Sequence, residues 1–190
     1  MRQEGMEEPS VKFLDHNIGD LVMKELGKAC EASVAVAFFN PDDRMMDALA
    51  KLPKLKLIVS EEFTVNNPYK LEKLKLDMLR SIAPDDVHGK LHAKILILKR
   101  RDGSYWTLIG SANLTHQRMF SNQEACMVLE SSNLSDDACA LEIRRWFDAC
   151  SKGLDGPILI RRSRFTTRNL NIVAFQDPQM RPQMRWVIGP

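Results

Sequence analysis

Five residues between Leu91 and Glu124 have the types and spacing to act on a phosphoryl group. His92-x-Lys94 opens an apolar row, Gly110-Ser111-Ala112-Asn113 follows a turn, and Glu124 comes after a further loop. Histidine alone among side chains has an ordinary pKa near neutrality, about 6.5. Lysine brings positive charge, and Ser and Asn bring neutral donors. A tetrahedral anion needs several such donors, because charge shifts over its oxygens during transfer. On this reading His92 is the nucleophile, and Lys94 and Asn113 bind the phosphoryl oxygens. Ser111 supports them or donates directly. Glu124 holds one imidazole nitrogen and leaves the other free to attack. The sequence has no HExxH, no Asp/Glu cluster and no paired Cys/His spacing. The expected chemistry therefore uses no metal and no other cofactor.

Two strands must bring these residues together. His92 to Leu98 contains the unbroken row Ile95-Leu96-Ile97-Leu98, which suits a strand covered on both faces. Arg100-Arg101-Asp102-Gly103 is a turn with a hairpin signal, and Tyr105 to Gly110 is the returning partner. Such a hairpin sets His92 and Lys94 beside Ser111 and Asn113 at one edge of the sheet. Alternation puts each pair on a single face. Lys99, Arg100 and Arg101 sit at the hairpin tip, where they would guide a polyanionic substrate if the tip flanks the cleft.

The rest of the chain supplies the scaffold. Helical spacing predicts helices over Ile18–Ala29, Asp43–Leu52, Tyr69–Leu79 and Leu134–Cys150, the last starting near Ser135. Short Val- and Phe-rich runs predict strands at Ser33–Phe39, Lys56–Ser60 and Glu124–Leu129. Strands alternate with helices early and pair as a hairpin later. That order implies an α/β fold, a mixed β-sheet flanked by helices on both faces. Residues 1–12 read as a flexible terminus, 13–156 as the catalytic domain and 157–190 as a basic C-terminal extension. The extension holds six arginines against one aspartate, with Phe165 and Trp186 interleaved, and Ile158 to Ile160 read as one more strand. It is either a solvated end or a binder of phosphate backbone.

The 190 residues carry 27 basic and 25 acidic side chains, and 44% are hydrophobic. Collagen-like, low-complexity and wholly disordered classes are excluded. The near-neutral charge by itself calls for neither nucleic acid nor membrane. No apolar run reaches the ~20 residues of a membrane span, and the acidic first ten residues do not read as a secretory signal. The four cysteines (Cys30, Cys126, Cys139, Cys150) lack disulfide or zinc spacing and read as small buried hydrophobes of a reduced, cytoplasmic protein.

HAKILIL followed by IGSANLT and NQE resembles the HKD motif of the phospholipase D superfamily: His-x-Lys, four residues, Asp, then Gly-Ser-x-Asn. The upstream VAVAFFNP, LKLIVS and NPYKLEKL segments resemble the N-terminal half of its bacterial nuclease-like members, over roughly residues 14–150. The family's Asp falls on Lys99 here, and the turn from Arg100 to Ser104 lengthens the spacing by four residues. The resemblance implies the family's α/β/α sandwich, a metal-independent phosphodiesterase whose expected substrate is DNA rather than RNA, and a restriction or DNA-repair setting or the catalytic domain of a longer helicase-linked protein.

The family uses two motifs per active site, and this chain has one. One imidazole cannot attack phosphorus and protonate the leaving oxygen at the same moment. A homodimer that brings two His92 residues to one phosphate is therefore expected. Two rivals remain: a phospholipid diester as substrate, and an idle module that binds nucleic acid or only dimerises. Of the other histidines, His88 sits in a loop, His16 reads as a surface residue, and His116 follows Asn113 closely enough to approach the site.

Overall fold

The computed structural model describes residues 9–61, 68–84, 86 and 89–152. The basic extension, with the strand expected at residues 158–160, and His88 lie outside them. Among the described residues nine strands form in chain order: β1 (Ser10–Leu14), β2 (Ala29–Val36), β3 (Phe39–Asn40), β4 (Lys54–Ser60), β5 (Met78–Ile82), β6 (Lys94–Arg100), β7 (Tyr105–Gly110), β8 (Leu114–Thr115) and β9 (Cys126–Ser131). Seven of them make one sheet in the order β1-β9-β7-β6-β2-β4-β5, and β3 pairs with β8. β2, β4 and β5 run parallel, whereas β6, β7, β9 and β1 add antiparallel. The sheet is mixed, as expected.

The row Ile95 to Leu98 shows how the layers form. Leu96 and Leu98 enter one apolar cluster, with Val22 and Leu26 of α1 (Ile18–Lys28) and Met45 and Leu49 of α2 (Asp43–Ala50). Ile95 and Ile97 enter another, with Phe147 and Ile143 of α5 (Ala138–Lys152). Alternation along one strand thus demands helices on both faces. The caps are local. Asp42 Oδ1 accepts the Met45 N–H at 2.9 Å, and Asp137 Oδ1 accepts those of Cys139 and Ala140 at 2.9 and 3.1 Å.

Three expectations need correction. The predicted helix Tyr69–Leu79 is a short helix, α3 (Pro68–Glu72), followed by a turn and strand β5. Leu71 and Leu74 pack in the first cluster and Met78 against the second, on opposite sides of the sheet, which no single helix face could serve. Asp77 fixes the crossing: its N–H donates to Leu55 O at 2.9 Å, and its Oδ2 accepts the Leu55 N–H at 2.7 Å. Residues 10–12, read as frayed, belong to β1, which pairs with β9 from Ser10↔Glu130 to Leu14↔Cys126. The strand was hidden because Val11 and Phe13 face outward, 57% and 66% exposed, rather than alternating inward. Among the cysteines, Cys126 is buried but Cys139 is exposed, and none of the four is in a disulfide.

Candidate active site

The candidate residues meet at the carboxyl ends of the parallel strands β2 and β4, where ligands of open α/β sheets bind. They lie at the ends of central strands rather than at an edge of the sheet. β6 begins at Lys94, so His92 stands just before it with its ring exposed. Val36, the last residue of β2, pairs with Lys94, and the Ala37 N–H donates to Ala93 O at 3.1 Å. Across the hairpin, Ile95 pairs with Ile109, so the residues after Gly110 emerge beside Lys94.

Lys94 is buried at 8% exposure and turns back on His92. Its Nζ lies 2.8 Å from His92 Nδ1 and donates to His92 O at 2.7 Å. Burial pushes the Lys94 ammonium below the ordinary lysine value, Glu124 opposes that shift, and Arg118 adds to it. Asn113 is buried, and its Oδ1 accepts the Phe38 N–H at 3.1 Å, which turns the amide NH2 away from that contact. Gly110 has a packing reason. A Cβ there would lie 2.6 Å from Cys126 Cα and closer still to the Ala125 carbonyl oxygen. Only glycine lets β9 start this close to the end of β7.

Ser111 and Glu124 bond to each other, and neither has a hydrogen bond to His92 within the described residues. The Ser111 hydroxyl donates to Glu124 Oε2 and accepts the Ala125 N–H at 3.0 Å. Glu124 Oε1 accepts Arg118 Nη1 at 2.9 Å. The imidazole-holding role read for Glu124 is therefore not made within one subunit. Its buried carboxylate instead braces Ser111 and Arg118 and counters the charge of Lys94.

The cations of the hairpin tip are elsewhere. Lys99, Arg100 and Arg101 lie at the opposite end of β6 from Lys94, about 20 Å along seven strand residues. They do not flank the site. Arg100 Nε donates to Glu25 Oε2 at 2.7 Å and Nη2 to Glu130 Oε2 at 2.7 Å. Arg101 donates to Gly27 O at 2.7 Å, and Lys99 lies over the Tyr105 ring. The spacing of the motif hid Arg118 altogether. It sits on α4 (His116–Phe120), a short helix whose N-cap Thr115 accepts the Arg118 N–H at 3.4 Å. Thr115 after a Leu was the available signal. His116 does stand near Asn113: both line one cavity. His16 is an exposed partner of Asp15. Among the described residues no group of three or more His, Cys, Asp or Glu is placed to hold a metal ion.

The profile of a family described as "Cardiolipin synthase, PLD-like domain" matches residues 22–150. The chain belongs to the phospholipase D-like family. No curated protein matches the sequence. Among solved structures, the fold is similar to NucT from Helicobacter pylori, with a TM-score of 0.58 and 15% identity over 74% of this chain and 94% of that one. It is also similar to Nuc, a phospholipase D family member from Salmonella typhimurium, with a TM-score of 0.53 and 16% identity over 82% of this chain and 100% of that one. At such identities the phospholipase D-like likeness is one of fold.

Proposed function

We propose that this phospholipase D-like chain is a metal-independent phosphodiesterase of nuclease type. It cleaves nucleic acid, DNA rather than RNA, through a phosphohistidine at a site shared by two copies of the chain. The observation that carries this reading is the exposed His92 held on the buried Lys94, with the buried Asn113 following the adjacent strand. Nε2 of His92 attacks phosphorus as the P–O bond to the leaving sugar oxygen breaks, and that oxygen takes a proton from an acid. Water then displaces the imidazole, giving its own proton to the same group now acting as base. Lys94 and Asn113 hold the phosphoryl oxygens throughout.

The hydrogen bond at His92 supports the shared site. A lysine ammonium has only hydrogens to offer, so Nδ1 facing it must accept. The neutral ring then carries its proton on Nε2, which leaves that atom no lone pair for attack, and a ring held this way cannot take the second proton that an acid needs. A nucleophilic Nε2 needs an acceptor at Nδ1, and no such acceptor stands at Nδ1 among the described residues of one subunit. A second copy would supply both that acceptor and the second imidazole.

Cleavage of DNA in EDTA, lost in His92→Ala and Lys94→Ala, is the expected result. Magnesium-dependent cleavage that survives His92→Ala would overturn the assignment. Mixed dimers of wild-type and His92→Ala subunits should be inactive, and full activity per wild-type subunit would sink the shared site. RNA and phospholipid vesicles in the same assay rank the substrates. DNA retention without turnover, unchanged by His92→Ala, would mark an idle binding module.

A further inference from the structure

A cavity of about 270 Å³ opens beside Asn113, walled by Phe38, Asn40, His116, Gln117 and Arg118. The short parallel pairing of β3 with β8, Phe39↔Leu114 and Asn40↔Thr115, builds it by locking the segment after β2 to the segment after β7. Asn113 lines this cavity and holds Phe38, whose neighbour Ala37 bonds to Ala93 next to His92, so a diester held by the Asn113 amide can send one substituent into the cavity.

The walls have defined chemistry. His116 Nδ1 lies 3.2 Å from Asp42 Oδ2, and its ring tilts against Phe120 with centroids 5.4 Å apart. Burial opposes ionisation of Asp42, but the Met45 N–H, His116 and Arg44 outweigh it and hold the carboxyl below its usual range. The contact with Asp42 engages Nδ1 of His116 and leaves Nε2 as the ring nitrogen outside that contact. Asn40 and Gln117 add two side-chain amides, each both donor and acceptor, as the edges of bases require. Phe38 adds an aromatic side chain on which a base can rest. Arg118 is half exposed and uses Nη1 on Glu124, so its other N–H groups can reach a neighbouring phosphate. A fatty-acyl substituent would meet amides and cations here, and a planar, hydrogen-bonding group with a charged neighbour is matched.

We propose that this cavity is the subsite for the nucleoside next to the scissile phosphate, with Asn40, Gln117 and the Asp42-held His116 as the groups that contact it. The proposal rests on the nuclease reading of the site and adds the residues that grip the substrate beyond its phosphorus.

The test compares an oligonucleotide with bis(p-nitrophenyl) phosphate, a diester that has no nucleoside. His116→Gln, Asn40→Ala and the exposed Gln117→Ala are assayed on both, with thermal melts to confirm folding. Oligonucleotide kcat/KM should fall about tenfold more than that of the small diester, the scale of one lost base contact, and chiefly through KM. Binding of a fluorescent oligonucleotide, read by anisotropy, should weaken to a similar degree. Equal losses on both substrates, or unchanged oligonucleotide affinity in all three variants, overturn the subsite. If the wild type cleaves neither substrate, the nuclease reading falls, and the anisotropy arm alone decides the subsite.

Discussion

At the start of β6, Lys94 is buried beside His92 and Arg118 with Glu124 as the carboxylate that counters it. At the end of the same strand, Arg100 lies between the carboxylates of Glu25 and Glu130, and Lys28 and Lys12 pair with those two in turn. Burial disfavours the charge of both cations. At Lys94 it wins, and the pKa falls below the ordinary lysine value. At Arg100 the two carboxylates outweigh it, and the pKa rises. A cation whose partners are complete serves the fold. One left short of negative charge is poised for an anion that arrives from outside. The comparison also explains why a count of cations along β6 misleads: at the tip, Arg100 and Arg101 already have partners within the fold.

Substitution by methionine should split the two ends. Lys94→Met removes the donor proposed for the phosphoryl oxygens and is expected to lower kcat/KM by about 10²–10³-fold, the scale of one lost oxyanion donor. Because it also removes an undercompensated buried charge, its thermal midpoint should not fall. Arg100→Met leaves Glu25 buried at 3% exposure without its arginine. It should cost about 3 kcal/mol in urea melts while activity per folded molecule is kept. A Lys94→Met that melts early, or an Arg100→Met that folds normally but is inactive, would reverse the assignment of the two ends.

A pH series sharpens the same contrast. The folded pKa of Lys94 is depressed, so as pH rises the folded chain releases this proton before the unfolded chain does. Between the folded value and the ordinary 10.5, the unfolded state binds more protons, and this group's contribution to stability rises with pH. The phosphoryl binding proposed for Lys94 needs the charged form and should fall over the same window. The alkaline limb of kcat/KM should therefore lie below pH 10.5 and move upward in Lys94→Arg, which stays charged. A limb unmoved by that change would assign it to another group.

Much of this arrangement was legible in the sequence because it is local. The Ile95–Leu98 row announced a two-faced strand, the Asp-Gly turn announced its partner, and the spacing of His92, Lys94, Ser111 and Asn113 placed them at adjacent strand ends. What the sequence hid depends on distant partners. Arg100 read as a free cation because Glu25 lies 75 positions away and Glu130 lies 30. Glu124 read as the imidazole's partner because nothing in the intervening loop marked Arg118 or the inward turn of the Ser111 hydroxyl. Leu71, Leu74 and Met78 read as a helix because the periodicity is right; only the sheet shows that they serve opposite faces.

The smallest effect is expected midway between the two ends, where polar atoms serve neither charge cluster. The Ser33 and Thr107 hydroxyls are buried on either side of Ile97, and neither finds a partner among the described residues. Both strands place these side chains on the face that α5 covers, with Ile97 and Phe147. A buried hydroxyl left unsatisfied costs stability that an isosteric methyl does not. Thr107→Val keeps the β-branched shape and removes the polar atom, so it should raise stability by about 1 kcal/mol, read as a higher urea midpoint at unchanged slope. Activity should not change, because the residue is three positions before Gly110 and beneath the sheet's covered face. A drop in stability would mean that the hydroxyl is satisfied after all, by water held within the second cluster, and that this apolar layer carries a polar contact.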